Sequence, residues 1–348
     1  MTPLPRLAAL ATAVPEHRID AATARAFARE QFAALAGIER LLPAFDHAGI
    51  ATRHLVRPLD WYAQPRSFAE KNALWRSSAL ALAQAAGEAA LSQWSGDRKQ
   101  VGGIVWVTST GIATPSLDAT LVQALDLPRT LQRIPVWGLG CAGGAAGLAR
   151  ATSLCRGLAQ PVLLVAAEIC SATFVAADCS KANLIATALF ADGAAAAVIE
   201  PDGDHGPALL GGHSQLIDDS EDVMGWDLRE EGLQVRFARS IPSIVREVMP
   251  GFVAAAAQRL GVAPDGLDHL GVHPGGAKVL EAYATALGLD DHRLASARAV
   301  LRDHGNMSSP TALFVLDHHL RHTAPDGRVG LVVGLGPGFC AEAAGFRR

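Results

Sequence analysis

The chain predicts a layered α/β fold, and three observations carry that prediction. Short apolar runs of strand length alternate with alanine- and leucine-rich runs of helical spacing, glycine-rich turns separate them, and the second half repeats the strand-and-helix grammar of the first. At 348 residues and 50% hydrophobic, the chain can bury the core of two ordinary domains or of one double domain. Residues 201–207, rich in proline, glycine and aspartate, mark an internal boundary and divide it into an N-terminal half, 1–203, and a C-terminal half, 204–348.

Residues 7–14 read as a first strand. They follow Arg6 as a secretory leader would, but the run is short and leads into Pro15-Glu-His-Arg18 without a small-residue cleavage pattern. Residues 21–53 have helical spacing with interspersed charges, and end in a turn and an extended segment, His47-Ala-Gly-Ile-Ala-Thr-Arg53-His54. Residues 58–66 are loop, and 78–94 an alanine-rich helix. Residues 101–108 are a buried strand, and the hydroxyl-rich turn after it, 109–118, lies where open α/β sheets bind ligands. Ser109 and Thr110 are therefore expected in a pocket wall. A helix over 142–156, a buried strand over 161–168, a short helix over 184–190 and an apolar strand over 191–200 complete the first half. The second half reads as a β-like stretch at 208–216, an irregular segment to Glu231, helices at 241–260 and 275–287, a strand at 266–272 and an unassigned stretch at 294–301. A helix at 310–322 carries proline in its first turn, where proline is tolerated, and 329–339 is a glycine-rich strand and turn.

Composition excludes several classes of function. The formal net charge is −4, with 30 Lys and Arg scattered along the chain, so no basic footprint for nucleic acid is present. The five cysteines, at 141, 155, 170, 179 and 340, form no Cys-x-x-Cys pair, which argues against a disulfide framework or zinc ribbon and fits a reducing cytoplasm. No apolar window reaches eighteen residues without charge, so no membrane span is expected.

Chemistry is concentrated in three stretches. In Trp137-Gly-Leu-Gly-Cys141-Ala-Gly-Gly144 a cysteine sits among glycines where a strand becomes a helix. The unpaired N–H groups and dipole of that helix would favour the thiolate and lower the thiol pKa; taken alone, Cys141 reads rather as a small buried apolar side chain, and partners elsewhere in the chain must decide it. In Gly271-Val-His273-Pro-Gly-Gly276 a histidine ends an apolar strand, and in His304-Gly-Asn306-Met-Ser-Ser309-Pro310 an asparagine precedes a helix. Singly, these are an exposed loop histidine and a helix cap. Together, a thiol, an imidazole and a carboxamide at strand-to-helix transitions can converge on one pocket as nucleophile, proton carrier and oxyanion donors.

With Phe190-Ala-Asp-Gly193 and Gly334-Leu-Gly-Pro337-Gly338, these stretches make the chain resemble the type III polyketide synthases, the chalcone and stilbene synthase family, in order along nearly its whole length. The resemblance implies a thiolase-like αβαβα fold of two related halves and a homodimer. It implies condensation of malonyl-CoA extenders onto an acyl-CoA starter, with CoA thioesters as substrates and no separate cofactor or metal. Carried over by position, Cys141 accepts the acyl group, and His273 and Asn306 hold the malonyl thioester carbonyl during decarboxylation. Phe190 matches a gatekeeping phenylalanine, and Cys170, Thr173, Ser308, Gly336 and Pro337 fall at cavity positions. Arg40, His47 and Arg53 are offered as contacts to the CoA phosphates.

The sequence also departs from the family pattern. The second gatekeeping phenylalanine falls on Val235, unless Phe237 two residues later takes the place, and Thr114 stands where plant members carry a methionine that crosses the dimer. Smaller residues widen a cavity, so a medium or long fatty acyl starter and an alkylpyrone or alkylresorcinol product are expected. The nearest alternative is a ketoacyl synthase III-like enzyme fed by an acyl carrier protein; a cysteine hydrolase is a further one.

Overall fold

In the computed structural model, which describes residues 3–348, strand β1 (Arg6–Ala13) and the short β2 (His17–Asp20) lead into helices α1 (Ala21–Gln31) and α2 (Pro43–Asp46). β3 (Thr52–Leu55) and the single-turn α3 (Leu59–Tyr62) precede α4 (Phe68–Gln93). α4 starts ten residues before the alanine-rich run because a capping box sets its end: Ser67 Oγ accepts from the Glu70 N–H at 3.2 Å, and the Glu70 carboxylate accepts from the Ser67 N–H at 2.9 Å. Then come β4 (Gly103–Thr108), α5 (Asp118–Ala124), β5 (Gln132–Trp137), α6 (Gly143–Leu158), β6 (Val162–Ile169), α7 (Lys181–Leu189) and β7 (Asp192–Glu200).

The remainder of the chain is β8 (Ala208–Leu216), β9 (Met224–Arg229), β10 (Gly232–Phe237), α8 (Ile241–Arg259), β11 (Leu267–Val272), α9 (Ala277–Leu287), α10 (Ala295–His304), α11 (Ser309–His322), β12 (Val329–Gly336) and β13 (Cys340–Arg347). The irregular segment expected up to Glu231 is in fact half of a hairpin: β9 and β10 pair antiparallel around the Glu230-Glu231 turn. That turn carries none of the Asn-Gly or Asp-Gly chemistry that announces a hairpin. β13 was also unforeseen. Its Cys-Ala-Glu-Ala-Ala-Gly run has weak strand propensity and is held instead by neighbours on both sides, β12 and β8.

Nine strands join in the order β11-β12-β13-β8-β1-β7-β6-β4-β5. Strands up to β7 lie on one side and those from β8 onward on the other; the seam between them is one β1–β8 pair, Arg6 with Ala208. α6 packs on β4 and β6 as well as on β8 and β13, and α11 packs on β6 and β7 as well as on β11 and β12. These two helices are therefore the central layer between two sheet halves. α4 covers the outer face of β1, β6 and β7, and α8, with α9 against it, covers β8. The result is the expected αβαβα layering. β4 and β6 are buried from end to end and β7 at every residue but its last, Glu200, which is why they read as continuous apolar runs rather than alternating ones.

Candidate active site

Cys141 lies on a 3₁₀ turn, Gly140–Ala142, that runs straight into α6. Gly140 has φ of +45°, and a Cβ there would meet the Pro337 ring at 2.8 Å. At Gly144 a Cβ would come within 2.2 Å of the Ser309 carbonyl oxygen, so the glycines after the cysteine let α6 and α11 touch.

The turn delivers Cys141, 6% exposed, to the centre of the molecule, where its Sγ lies 3.8 Å from Asn306 Oδ1 and 3.8 Å from Ser308 Oγ. His273 follows the last residue of β11, its N–H bonded to the Val333 carbonyl at 2.8 Å. Both its ring nitrogens are buried without a partner. Asn306 is clamped at its backbone: its N–H donates to Leu189 O, and its carbonyl accepts from Ala191 N, both at 2.9 Å. Its Nδ2 donates to Gly275 O at 3.3 Å, and its Oδ1 accepts from Ser308 N at 2.8 Å. Ser308 adopts φ of +60°, a left-handed conformation rare outside glycine. Cys141, His273 and Asn306 line one cavity of about 500 Å³, with Leu189, Phe237, Tyr283 and Leu335 on its walls.

The electrostatics reverse one expectation. Burial pushes the Cys141 thiol up to about 12, against the smaller opposite effect of hydrogen bonds to Ser308 and Asn306, and burial pushes His273 down to about 3. Desolvation thus favours the neutral form of both groups, opposite in direction to the thiolate that a helix N-terminus favours.

Behind the cysteine lies a group that the sequence reading passed over. Glu168, wholly buried, accepts from the N–H of Ser109 at 2.9 Å and of Thr110 at 3.0 Å, from Thr110 Oγ1 at 2.7 Å, and on its other oxygen from Ser309 Oγ at 2.8 Å. Burial raises its pKa to about 7 despite these bonds. Ser109 Oγ in turn accepts from Gly140 N at 3.0 Å. Ser109 and Thr110 are thus not a pocket wall; they tie the cysteine turn to Glu168. The signal was a lone charge ending an apolar strand. Gly336 and Pro337 likewise stand behind that turn, against Leu139 and Gly140, and it is Leu335 that reaches the cavity.

Phe190, Cys170, Thr173 and Val235 line a second, smaller cavity of about 60 Å³, with Tyr62 and Phe174. The Phe190 ring stands 5.6 Å from that of Phe237 and 6.1 Å from Trp226. Phe237 therefore packs on Phe190, and the two rings lie between the cavities, while Val235, on the same side of β10 through the period of the strand, lines the smaller cavity together with Phe190. Of the residues offered for CoA, Arg53 does not qualify. It is 2% exposed and donates to the carbonyls of Thr187, Ala188 and Phe190 at 2.8, 2.8 and 3.3 Å, closing the C-terminal end of α7. Arg40 and His47 are exposed, and it is Leu41 between them that lines the main cavity. Three cations absent from the sequence reading line it instead: Lys181, Arg239 and Lys278.

A buried thiol, imidazole and carboxamide enclosed by an αβαβα core define a thiolase-like enzyme. Within that class the likeness is specific. Residues 60–203 match the family described as chalcone and stilbene synthases, N-terminal domain, and residues 209–347 match its C-terminal domain. The chain is 38% identical to a putative chalcone synthase of Bacillus subtilis over 96% of each chain. It is also 38% identical to a 1,3,6,8-tetrahydroxynaphthalene synthase of Streptomyces peucetius over 97% of this chain and 91% of that one. The crystal structure of the Streptomyces coelicolor 1,3,6,8-tetrahydroxynaphthalene synthase superposes with a TM-score of 0.94 at 29% identity, over 98% of this chain and 99% of that one. The type III domain of Steely1 from Dictyostelium gives 0.93 at 26%, over 99% of each. The chain belongs to the chalcone and stilbene synthase family: it is a type III polyketide synthase, an acyltransferase-type condensing enzyme that uses CoA thioesters. Among the described residues no helix is long and apolar enough to cross a membrane.

Proposed function

We propose that Cys141, His273 and Asn306 carry out a decarboxylative condensation of malonyl-CoA onto a fatty acyl starter. The observation that carries this reading is the His273 ring, buried with both nitrogens unpartnered in the cavity that holds Cys141 and Asn306. A buried donor without a partner is costly unless a ligand supplies one. In the first step Sγ adds to the starter thioester carbonyl while the thiol proton passes to His273, and the CoA thiol leaves with that proton. The malonyl thioester carbonyl then accepts from His273 and Asn306 Nδ2. Loss of carbon dioxide leaves an enolate that those donors stabilise; its carbon attacks the acyl carbonyl, the C–Sγ bond breaks, and Cys141 is expelled as a thiolate that regains a proton from solvent. A neutral imidazole serves here without a prior deprotonation.

The apolar cavity walls support an alkyl starter, at roughly 0.8 kcal/mol for each buried methylene, and with it an alkylpyrone or alkylresorcinol product. The relatives named 1,3,6,8-tetrahydroxynaphthalene synthase support a second reading, in which the same site makes that hydroxylated naphthalene. Mass spectrometry of products from malonyl-CoA alone and with acyl-CoAs of graded length separates the two: a naphthalene without any acyl-CoA excludes the alkyl reading. Cys141→Ala must lose every condensation product, and an unchanged product pattern refutes the mechanism.

The working unit in this reading is a cytoplasmic homodimer. β5 pairs only with β4, at the edge of the sheet, and Trp137 at its end is 53% exposed beside Ile112 at 43%, in the loop that also holds Thr114. A bare strand edge flanked by large apolar side chains suits a second copy of the chain. Sedimentation equilibrium giving a monomer at micromolar concentration would remove it.

A further inference from the structure

The main cavity is polar at its two ends and apolar between them. Lys181, Arg239 and Lys278, all exposed, stand at its mouth, and Cys141, His273 and Asn306, all buried, stand at its inner end. Every other residue that lines it is apolar or glycine, with one exception, Tyr283.

The sequence delivers that phenol by the same segment that delivers the imidazole. α9 starts just after the His273-Pro-Gly-Gly276 turn, and Val279 and Tyr283, four residues apart on one edge of the helix, both line the cavity. The chain has two tyrosines, and they are held differently. The Tyr62 hydroxyl bonds Ser171 Oγ at 2.8 Å. Tyr283 is wholly buried, yet among the described residues its hydroxyl forms no hydrogen bond. Burial first, and then the nearby Cys141 sulfur, raise its pKa. The phenol therefore stays protonated at working pH, as a donor and not as a base.

The other polar groups of the inner end are already engaged during condensation. Cys141 carries the acyl chain, and His273 and Asn306 hold the malonyl carbonyl. A saturated acyl chain asks for nothing more, since it has no acceptor beyond its thioester. After one extension the chain carries a ketone at its β carbon, and that oxygen is brought against an apolar wall, where an acceptor stripped of water is destabilised unless a donor meets it.

We propose that the Tyr283 hydroxyl donates a hydrogen bond to the β-ketone of the chain carried on Cys141, so that the pocket tells an extended chain from a saturated one. This contact rests on the reading of the site as a condensing centre. It serves an alkyl starter and a malonyl starter alike, because either becomes a β-ketoacyl chain after the first extension.

Tyr283→Phe removes the hydroxyl and keeps the ring. In the Cys141→Ala background, where no acyl transfer occurs, calorimetry compares acetoacetyl-CoA with butyryl-CoA, two ligands of equal length that differ by the ketone. The background protein binds acetoacetyl-CoA about 5- to 10-fold more tightly, and adding Tyr283→Phe removes that preference while butyryl-CoA binding stays within twofold. With Cys141 restored, Tyr283→Phe shifts the products made from malonyl-CoA, alone or with an acyl-CoA, toward those of fewer extensions, by about fivefold in mass-spectrometric ratio. Absence of the preference in the background protein, or its survival in Tyr283→Phe, overturns the proposal. So does an equal loss with butyryl-CoA, which would make ring packing the cause, and so does an unaltered product ratio. If the preference depends on Tyr283 in a protein that joins no carbon–carbon bond at all, the condensation reading is refuted and the ketone contact stands.

Discussion

His273 and Glu168 are buried titratable groups whose shifts act oppositely on stability. His273 has a folded pKa near 3 against a usual 6.5, so the unfolded chain binds the extra proton. Its contribution is full above pH 6.5 and is lost as pH falls toward 3. Glu168 is raised to about 7 from 4.5; its contribution is full below pH 4.5 and is lost as pH rises through 7. His273→Asn should therefore lose less stability than the parent between pH 6.5 and 4.5, by about 2–3 kcal/mol, and Glu168→Gln should flatten the alkaline side. Urea melts at stepped pH give both slopes; parallel curves for His273→Asn and the parent would show that the imidazole is solvated. Phe190→Ala belongs to the same scale. Removing one of the two rings that part the cavities joins the 60 Å³ space to the 500 Å³ one, so the preferred acyl-CoA should lengthen by two or more methylenes, roughly a tenfold or larger change in relative kcat/KM. An unaltered chain-length profile would mean that the starter never passes Phe190.

At the scale of single elements, α7 shows what a buried cation can do when it meets no acid. Arg53 donates to carbonyls at the helix's C-terminal end, the negative pole, where a guanidinium is favoured; burial still lowers its pKa to about 10. Arg53→Met leaves those carbonyls without donors and should cost about 3–5 kcal/mol in thermal or urea unfolding. A loss below 1 kcal/mol would indicate that water takes over. From the sequence, Arg53 looked like a phosphate ligand, because a basic residue in a polar turn reads as exposed until the chain that covers it is known. α4 and the β9–β10 hairpin were hard to read for a related reason. The start of α4 depends on a reciprocal cap outside the apolar run, and the hairpin turns on two glutamates. The buried strands β4, β6 and β7 needed no such context and were legible directly. The cysteine and the histidine each sit at a strand-to-helix transition, as their sequence suggests, whereas Asn306 lies in the connection between α10 and α11. Glu168 and the three cations at the mouth carry no motif; only folding brings them to the site.

Over the whole molecule, the three groups proposed for catalysis straddle the seam of the sheet. Cys141 is supplied by residues before β7, and His273 and Asn306 by residues after β8, while the strands of the two halves touch through a single pair. The layering was legible because alternation and boundary composition are local features; that α6 and α11 form a shared central layer was not, since it depends on glycine contacts between elements more than 150 residues apart. One backbone feature ties Phe190, the proposed gate, to Asn306. Phe190 and Asn306 form a parallel β-bridge, and the N–H and carbonyl of Asn306 bond to the residues on either side of Phe190. In the proposed mechanism, product shape and turnover are consequently coupled. An insertion or deletion that shifts residues 189–191 drags the carboxamide with it and sacrifices rate for shape, whereas exchanges of side chain at 170, 173, 190 or 235 reshape the chamber and leave that carboxamide in place.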